Sequence, residues 1–303
     1  YMLIQKLKDY LAIGWCYLLT SAFLITFEPS FICRLEFTQT ATIGSIIGML
    51  WIVFSYERES KAGYIGGIIF TVISALHRFG SFEMCLPFIG LVLLHYALVK
   101  YEKTGVRTFI KGILSDAGLY LSFAGIIVGC FAASKVNSAI YNSDYYAEYN
   151  AFNAARASVI DYPKADYADI ADELEAIGVS ANDYSLMTSW TFADLSFFTT
   201  DLFKQVAAVE PKASTEIDYK SEAEKYFTNL LDPGILYNKL FYLCLIVLVL
   251  CLVLDFGHMI FYSPMLLIGT LAIELYFTIV VKRYPSYVRT GLLFAVIATA
   301  LTI

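Results

Sequence analysis

The sequence predicts an all-α polytopic membrane protein with one inserted, water-facing helical domain, and three observations carry that prediction. Hydrophobic residues make up 58% of the chain and charged residues 16%, against about half and about a quarter in a soluble domain. The mean hydropathy is +0.64, and the apolar residues gather into long runs instead of recurring at helical or strand spacing, as membrane spans require. Between two groups of such runs, residues 135–237 have the polar composition of a soluble domain.

Eight runs read as spans: Leu11–Phe27, Ala41–Tyr56, Gly63–Leu76, Met84–Val99, Ile113–Ala133, Ile235–Leu254, Pro264–Val281 and Gly291–Ile303. A span needs roughly 20 residues, with about 17 as a working minimum. The fifth, sixth and seventh runs meet that length and the first is adequate, while the second, third and fourth are short. The chain opens on Tyr1 and stops at Ile303 inside an apolar run, which reads as a fragment. Lys6 and Lys8 precede the first run with no cleavage site after it, so that span would itself start insertion. The third run holds Gly63, Gly66 and Gly67 and ends at His77-Arg78, which fits a tilted span or half of a re-entrant hairpin. Ser115-Asp116 is placed to cap the fifth span, and Ser263-Pro264 to start the seventh with a cap and an N1 proline.

Lys and Arg near spans mark the cytoplasmic side. With the N-terminus inside, Lys6, Lys8, Arg58, Lys61, Lys100, Lys103, Arg107 and Lys111 fall in cytoplasmic segments, and the alternate short loops before residue 135 hold only Arg34 and Arg78. That bias places the polar stretch on the outer side of a plasma membrane. One loop departs from it: Lys282, Arg283 and Arg289 flank Tyr284-Pro285-Ser286-Tyr287, and an eight-span count puts them outside as well.

Three segments result: an N-terminal membrane domain over 1–134, an acidic helical extracytoplasmic domain over 135–234, and a C-terminal membrane segment over 235–303. Residues 135–237 hold 17 Asp and Glu against 7 Lys and Arg, a formal charge of −10, which leaves +4 for the rest and −6 in all. Such a surface argues against a nucleic-acid partner, which demands basic charge. The local pattern is helical. Asn137–Ile160 reads as one long helix, Asp166–Ile177 as a second closed by Gly178, and Ser180 or Asn182 starts a third running to Trp190. Thr199–Val209 and Ser214–Leu230 follow, with Pro211 and Pro233-Gly234 as breaks. Tyr141, Tyr145, Tyr149 and Phe152 lie close to helical spacing and are expected to form one packing stripe. All six cysteines lie in or beside spans, so no disulfide is expected to hold this domain together.

Asn153-x-x-Arg156, Asp161-Tyr162-Pro163, Gly178-x-x-x-Asn182-Asp183-Tyr184 and Trp190 together resemble the ectodomain of an uncharacterised family of polytopic membrane proteins of Gram-positive bacteria. The resemblance implies the same architecture in a bacterial plasma membrane. It implies no activity.

Candidate residues come from the cost of placing charge in or near lipid. Glu274 lies ten residues past Pro264, about 15 Å along a helix, which sets it near the expected midplane. Intramembrane carboxylates are expensive and face the bundle interior, so Glu274 is a candidate catalytic or proton-carrying group, or a protonated Glu bonded to a neighbouring helix. Glu28 and Glu83, with Glu36, share the outer loops, where a carboxylate can serve as general base on an acceptor hydroxyl. Arg34, Arg78, Arg283 and Arg289 would meet at the outer interface, and guanidinium groups there suit the diphosphate of a polyprenyl-linked sugar. Snorkelling and pairing with acidic residues is the plainer reading. Arg156, Asp161, Asn182, Asp183 and Trp190 are candidates for a ligand cleft in the acidic domain, and Asp255 with His258 for a proton-linked pair or a helix cap. No metal-ligand spacing, phosphate loop or nucleophile elbow occurs, so neither metal nor cofactor is expected.

Three functions are compatible with these features. One is a cell-envelope protein acting on a polyprenyl-linked glycan at the outer face, in the manner of a glycosyltransferase or polymerase. Another is a proton- or ion-coupled transporter using Glu274. The last is a receptor or scaffold whose acidic domain binds a protein partner.

Overall fold

Several apolar runs become helices that reach past them, with the side chains of Glu36, Ser60 and Asp255 capping three of the helix starts. The computed structural model describes residues 12–18, 21, 36–101, 106–161, 165–192, 194, 196–209, 219–232 and 238–303. Among these residues every regular element is helical. Helices α1 (Phe37–Glu57), α2 (Lys61–His77), α3 (Phe79–Tyr101), the short amphipathic α4 (Val106–Ser115) and α5 (Ala117–Tyr141) come first. The acidic stretch holds α6 (Ala147–Ile160), α7 (Ala171–Ala176), α8 (Ala181–Thr188), α9 (Thr200–Val209) and α10 (Tyr219–Leu230). Then come α11 (Asn238–Leu254), α12 (Phe256–Leu275, prolonged by a π turn over Tyr276–Val280) and α13 (Ser286–Ala300). Four of these, α1, α3, α5 and α12 with its π turn, are long and apolar enough to cross a membrane, at 21, 23, 25 and 25 residues. α2, α11 and α13 are apolar but shorter. Most of the run Leu11–Phe27 lies outside the described residues, with 13–18 helical.

The chain divides into two units. The first comprises Tyr1–Ser134, Lys225–Tyr276 and Tyr284–Ile303. α1 is the most enclosed of its long helices, and it begins before its apolar run because the Glu36 carboxylate accepts from the Thr38 amide at 2.7 Å. Gly44 and Gly48 on α1 lie against Ser74 and Thr71 of α2, and Gly63 and Gly67 on α2 lie against Ser55 and Ile52 of α1. A Cβ at Gly48 would lie 2.8 Å from the Thr71 amide nitrogen, and one at Gly67 would lie 2.9 Å from that of Ile52. Small residues at this spacing let two backbones touch, which is how helices associate without a hydrophobic drive between them. The glycines of the third run thus serve helix contact. α2 is an unbroken helix of 17 residues along α1, and only the extended residue Arg78 separates it from α3. α13 packs on α1 with Thr290–Ile297 buried, and Gly291 is pressed close to Thr42.

Two expected caps are replaced. α12 starts at Phe256, with the Asp255 side chain accepting from the His258 amide at 3.3 Å, so Pro264 sits inside the helix. Ser263 instead donates to the Leu248 carbonyl at 3.3 Å and ties α12 to α11. Asp116 caps nothing with its side chain, which turns toward α1 and α3.

The second unit comprises Lys135–Glu224 with Phe277–Arg283. Its core is Val159, Leu174, Val179, Met187, Phe203 and Val206, each fully buried. The single helix expected over Asn137–Ile160 is broken at Asn142–Tyr146, where Ser143 bonds the Ile140 carbonyl and Asn150 the Tyr141 carbonyl. The break undoes the expected aromatic stripe: Tyr145 is 87% and Tyr149 57% exposed, and only Phe152 turns to the core, edge-on to Phe203. Gly178 ends the α7 turn at φ +79°, a left-handed value that suits glycine. Ser180 and Asp183 then form a reciprocal capping box on α8.

Candidate functional site

Glu274 is buried to zero exposure, and its carboxylate is fully engaged within the first unit. It accepts from the Tyr226 hydroxyl at 2.5 Å, the Tyr284 hydroxyl at 3.0 Å and the Arg289 Nε at 3.1 Å. Arg289 Nη1 donates to Asn238 Oδ1 at 2.8 Å, and the Asn238 amide donates to the Asn229 and Asp232 carbonyls at 2.6 Å each. Burial and the neighbouring Glu274 push both tyrosine hydroxyls far above their ordinary range, so they remain donors. Glu274 lies 18 residues into α12, about 27 Å from its start. It is therefore near the far end of that helix and not at its middle, a consequence of the helix starting at Asp255. Tyr226 of α10, Tyr284 just before α13 and Arg289 of α13 meet on this one carboxylate at the end of α12, and Asn238 at the start of α11 joins through Arg289.

A second constellation lies in the second unit. Asp161, at the end of α6, pairs with Arg283 at 3.0 Å and with Arg156 at 3.8 Å. Arg156 is buried, donates twice to Asn153 Oδ1 at 2.7 and 3.1 Å, and sits 4.2 Å from the centre of the Trp190 ring. Trp190 is 56% exposed and adopts φ +63°, a conformation that strains a bulky L-residue. So Arg156, Asp161, Trp190 and Arg283 come together. Asn182 and Asp183 do not join them; Asp183 completes the α8 cap and Asn182 is exposed on that helix.

The remaining candidates are dispersed. Glu28 and Arg34 lie outside the described residues. Glu83 is exposed near the start of α3, Arg78 stacks over Phe37 at 4.8 Å, and Glu36 is the α1 cap. Of the four arginines expected at the outer interface, Arg283 pairs with Asp161 and Arg289 with Glu274. Asp255 accepts from the His258 amide and meets its ring Nδ1 at 3.0 Å, so this pair acts as a cap.

Sequence reasoning missed a third constellation, again within the first unit. The Asp116 carboxylate receives Lys100 at 2.7 and 2.8 Å, Tyr101 at 2.7 Å, and Tyr56 and Tyr96 at 3.1 Å. Burial alone would raise its pKa, but Lys100 and these hydroxyls hold it below the usual carboxylate range. It borders a cavity of about 1310 Å³ that His95, His258 and Asp255 also line. The available signal was that tyrosines and one lysine end two apolar runs while a lone carboxylate opens a third.

Comparison with protein-family models, with curated proteins and with solved structures finds no match for the chain.

Proposed function

We propose that the chain is a multi-pass membrane protein of a bacterial cell envelope whose acidic helical unit stands outside and holds an envelope glycan, free or on a polyprenyl carrier, against Trp190. The observation that carries this reading is the exposed indole kept at φ +63° above the buried Arg156. A strained conformation persists only where its surroundings over-determine it, and such residues concentrate at ligand clamps. An exposed aromatic face beside hydrogen-bonding charges, here Asp161 and the half-exposed Arg283, suits a sugar ring with its apolar face and hydroxyl rim.

The outer placement draws support from charge. The loop that departed from the positive-inside trend has its two arginines bound to Asp161 and Glu274, so neither carries free charge to be retained inside. Lys61 and Lys100 line the cavity at the Asp255 end of α12, the opposite end of that helix from Glu274. The exposed Tyr141, Tyr145 and Tyr149, at and just past the end of α5, fit an interfacial aromatic belt. The same ion pairs move the glycan reading away from a guanidinium site for diphosphate and onto Trp190. A transporter using Glu274 would have to strip that carboxylate of three donors on every cycle, which disfavours it.

Calorimetric titration of the purified full chain with chitotetraose tests the reading. Trp190→Phe should keep part of the response and Trp190→Ala abolish it; an unchanged response in Trp190→Ala would sink the proposal. Thiol labelling of intact cells at Ser158 and Ser286, each changed to Cys in a cysteine-free chain, tests the orientation, and protection of either site from an impermeant reagent would refute it.

A further inference from the structure

The cavity beside Asp116 takes no part in that function, and its walls are of two kinds. Val53, Val92 and Val99 give it an apolar side, and Tyr56, Tyr64 and Tyr96 present hydroxyls and ring faces. The rings lie close together, with Tyr56 6.0 Å from Tyr64 and 6.4 Å from Tyr96 between centres. Its charged lining is Glu57, Glu59, Asp116 and Asp255 against Lys61 and Lys100, a formal −2 with histidines neutral. An anion meets repulsion there, because Asp116 already neutralises Lys100. A cation meets carboxylates and aromatic faces, the combination that recognises ammonium groups.

The chain supplies its own example of such a ligand. Lys100, an ammonium on an alkyl stem, lies 5.2 Å from the Tyr96 ring centre and 5.6 Å from that of Tyr101 while bonding Asp116. The cavity of about 1310 Å³ remains open beside it, with Glu57, Glu59 and the His258-bonded Asp255 on its walls. We propose that this cavity binds an alkylammonium group, its head against the tyrosines and carboxylates and its chain along the valines. A soluble amine and the headgroup of an aminophospholipid share that chemistry.

Calorimetric titration of the full chain in a non-ionic detergent, with n-hexylamine, hexan-1-ol and hexanoate in turn, tests it. Hexylamine should bind saturably and about tenfold more tightly than hexan-1-ol, with hexanoate weaker still. The double variant Glu57→Gln/Asp255→Asn should weaken hexylamine several-fold while keeping the melting temperature, since Glu57 is exposed and Asn also serves as a helix cap. Equal binding of hexan-1-ol or hexanoate, or undiminished affinity in that variant, overturns the proposal. Native mass spectrometry then separates the two sources. An aminophospholipid that hexylamine displaces identifies a lipid ligand, and hexylamine binding to lipid-free protein identifies a soluble one.

Discussion

Arg289→Met should be among the most destabilising changes available in the first unit. It leaves Glu274 with no exposure and without its counter-charge, while Asn238 Oδ1 loses its donor. Breaking a buried ion pair from one side costs about 3–5 kcal/mol. For a domain of this size that corresponds to a fall of roughly 6–20 °C in unfolding midpoint. The reverse change, Glu274→Met, strands the guanidinium and two tyrosine hydroxyls, and should cost about as much. The double variant removes both charges, so its loss should not exceed that of either single change, giving a coupling at least as large as one single loss, about 3–5 kcal/mol. Far-UV circular dichroism on heating in detergent at neutral pH measures all four proteins. Strictly additive losses, or a single variant that melts with the wild type, would refute the view that these groups act as one paired unit.

Three further outcomes follow from the geometry. Asp116 has its pKa lowered from 3.8. Its pairing therefore stabilises the fold above that pH and is lost as pH falls through and below it, so Asp116→Asn should be less stable at neutral pH and lose less than the wild type on acidification, as melting across pH would show. Gly67→Ala forces a Cβ to 2.9 Å from the Ile52 amide and should cost about 1–3 kcal/mol, whereas Gly129→Ala meets nothing within 4 Å and should leave the melting point level or slightly raised. Trp190→Gly relieves the left-handed conformation that Trp190→Ala retains, so the glycine variant should be the more stable of the two by about 1 kcal/mol in denaturant titration.

What the sequence could and could not reveal divides along range of interaction. Four of the eight apolar runs coincide with helices long and apolar enough to cross a membrane, and the Ser180 and Gly178 signals held, because apolar length and helix capping are local properties of composition. Helix starts failed where two local signals competed. Ser263-Pro264 reads as a start, yet Asp255 offers a better acceptor one apolar stretch earlier, and a proline can be carried inside a helix. Asp116 has the local look of a cap, and only contacts with residues 15 to 60 positions away reveal it as a hub. Glu274 was recognisable as a costly carboxylate, whereas its partners Tyr226, Tyr284 and Asn238 were unremarked, since nothing in a single sequence says which distant donors meet a buried acceptor. In the acidic unit, Arg156, Asp161 and Trp190 converge, while Asp183 caps the adjacent helix and Asn182 is exposed on it.

The bond between Asp161 and Arg283 also sets an order of events during synthesis. Its two partners are 122 positions apart, and Phe277–Arg283 belongs to the same unit as Lys135–Glu224. At about 5–20 residues per second, a ribosome needs on the order of 6–24 s between making the one and the other. Over that interval the acidic unit has its aliphatic core but not its second arginine, and Asp161 has only the more distant Arg156. The unit is thus finished from the far end of the polypeptide, after α11 and α12 have been produced. Nascent chains halted before residue 283 should therefore hold Trp190 less firmly than released ones, a difference readable as faster quenching of its fluorescence.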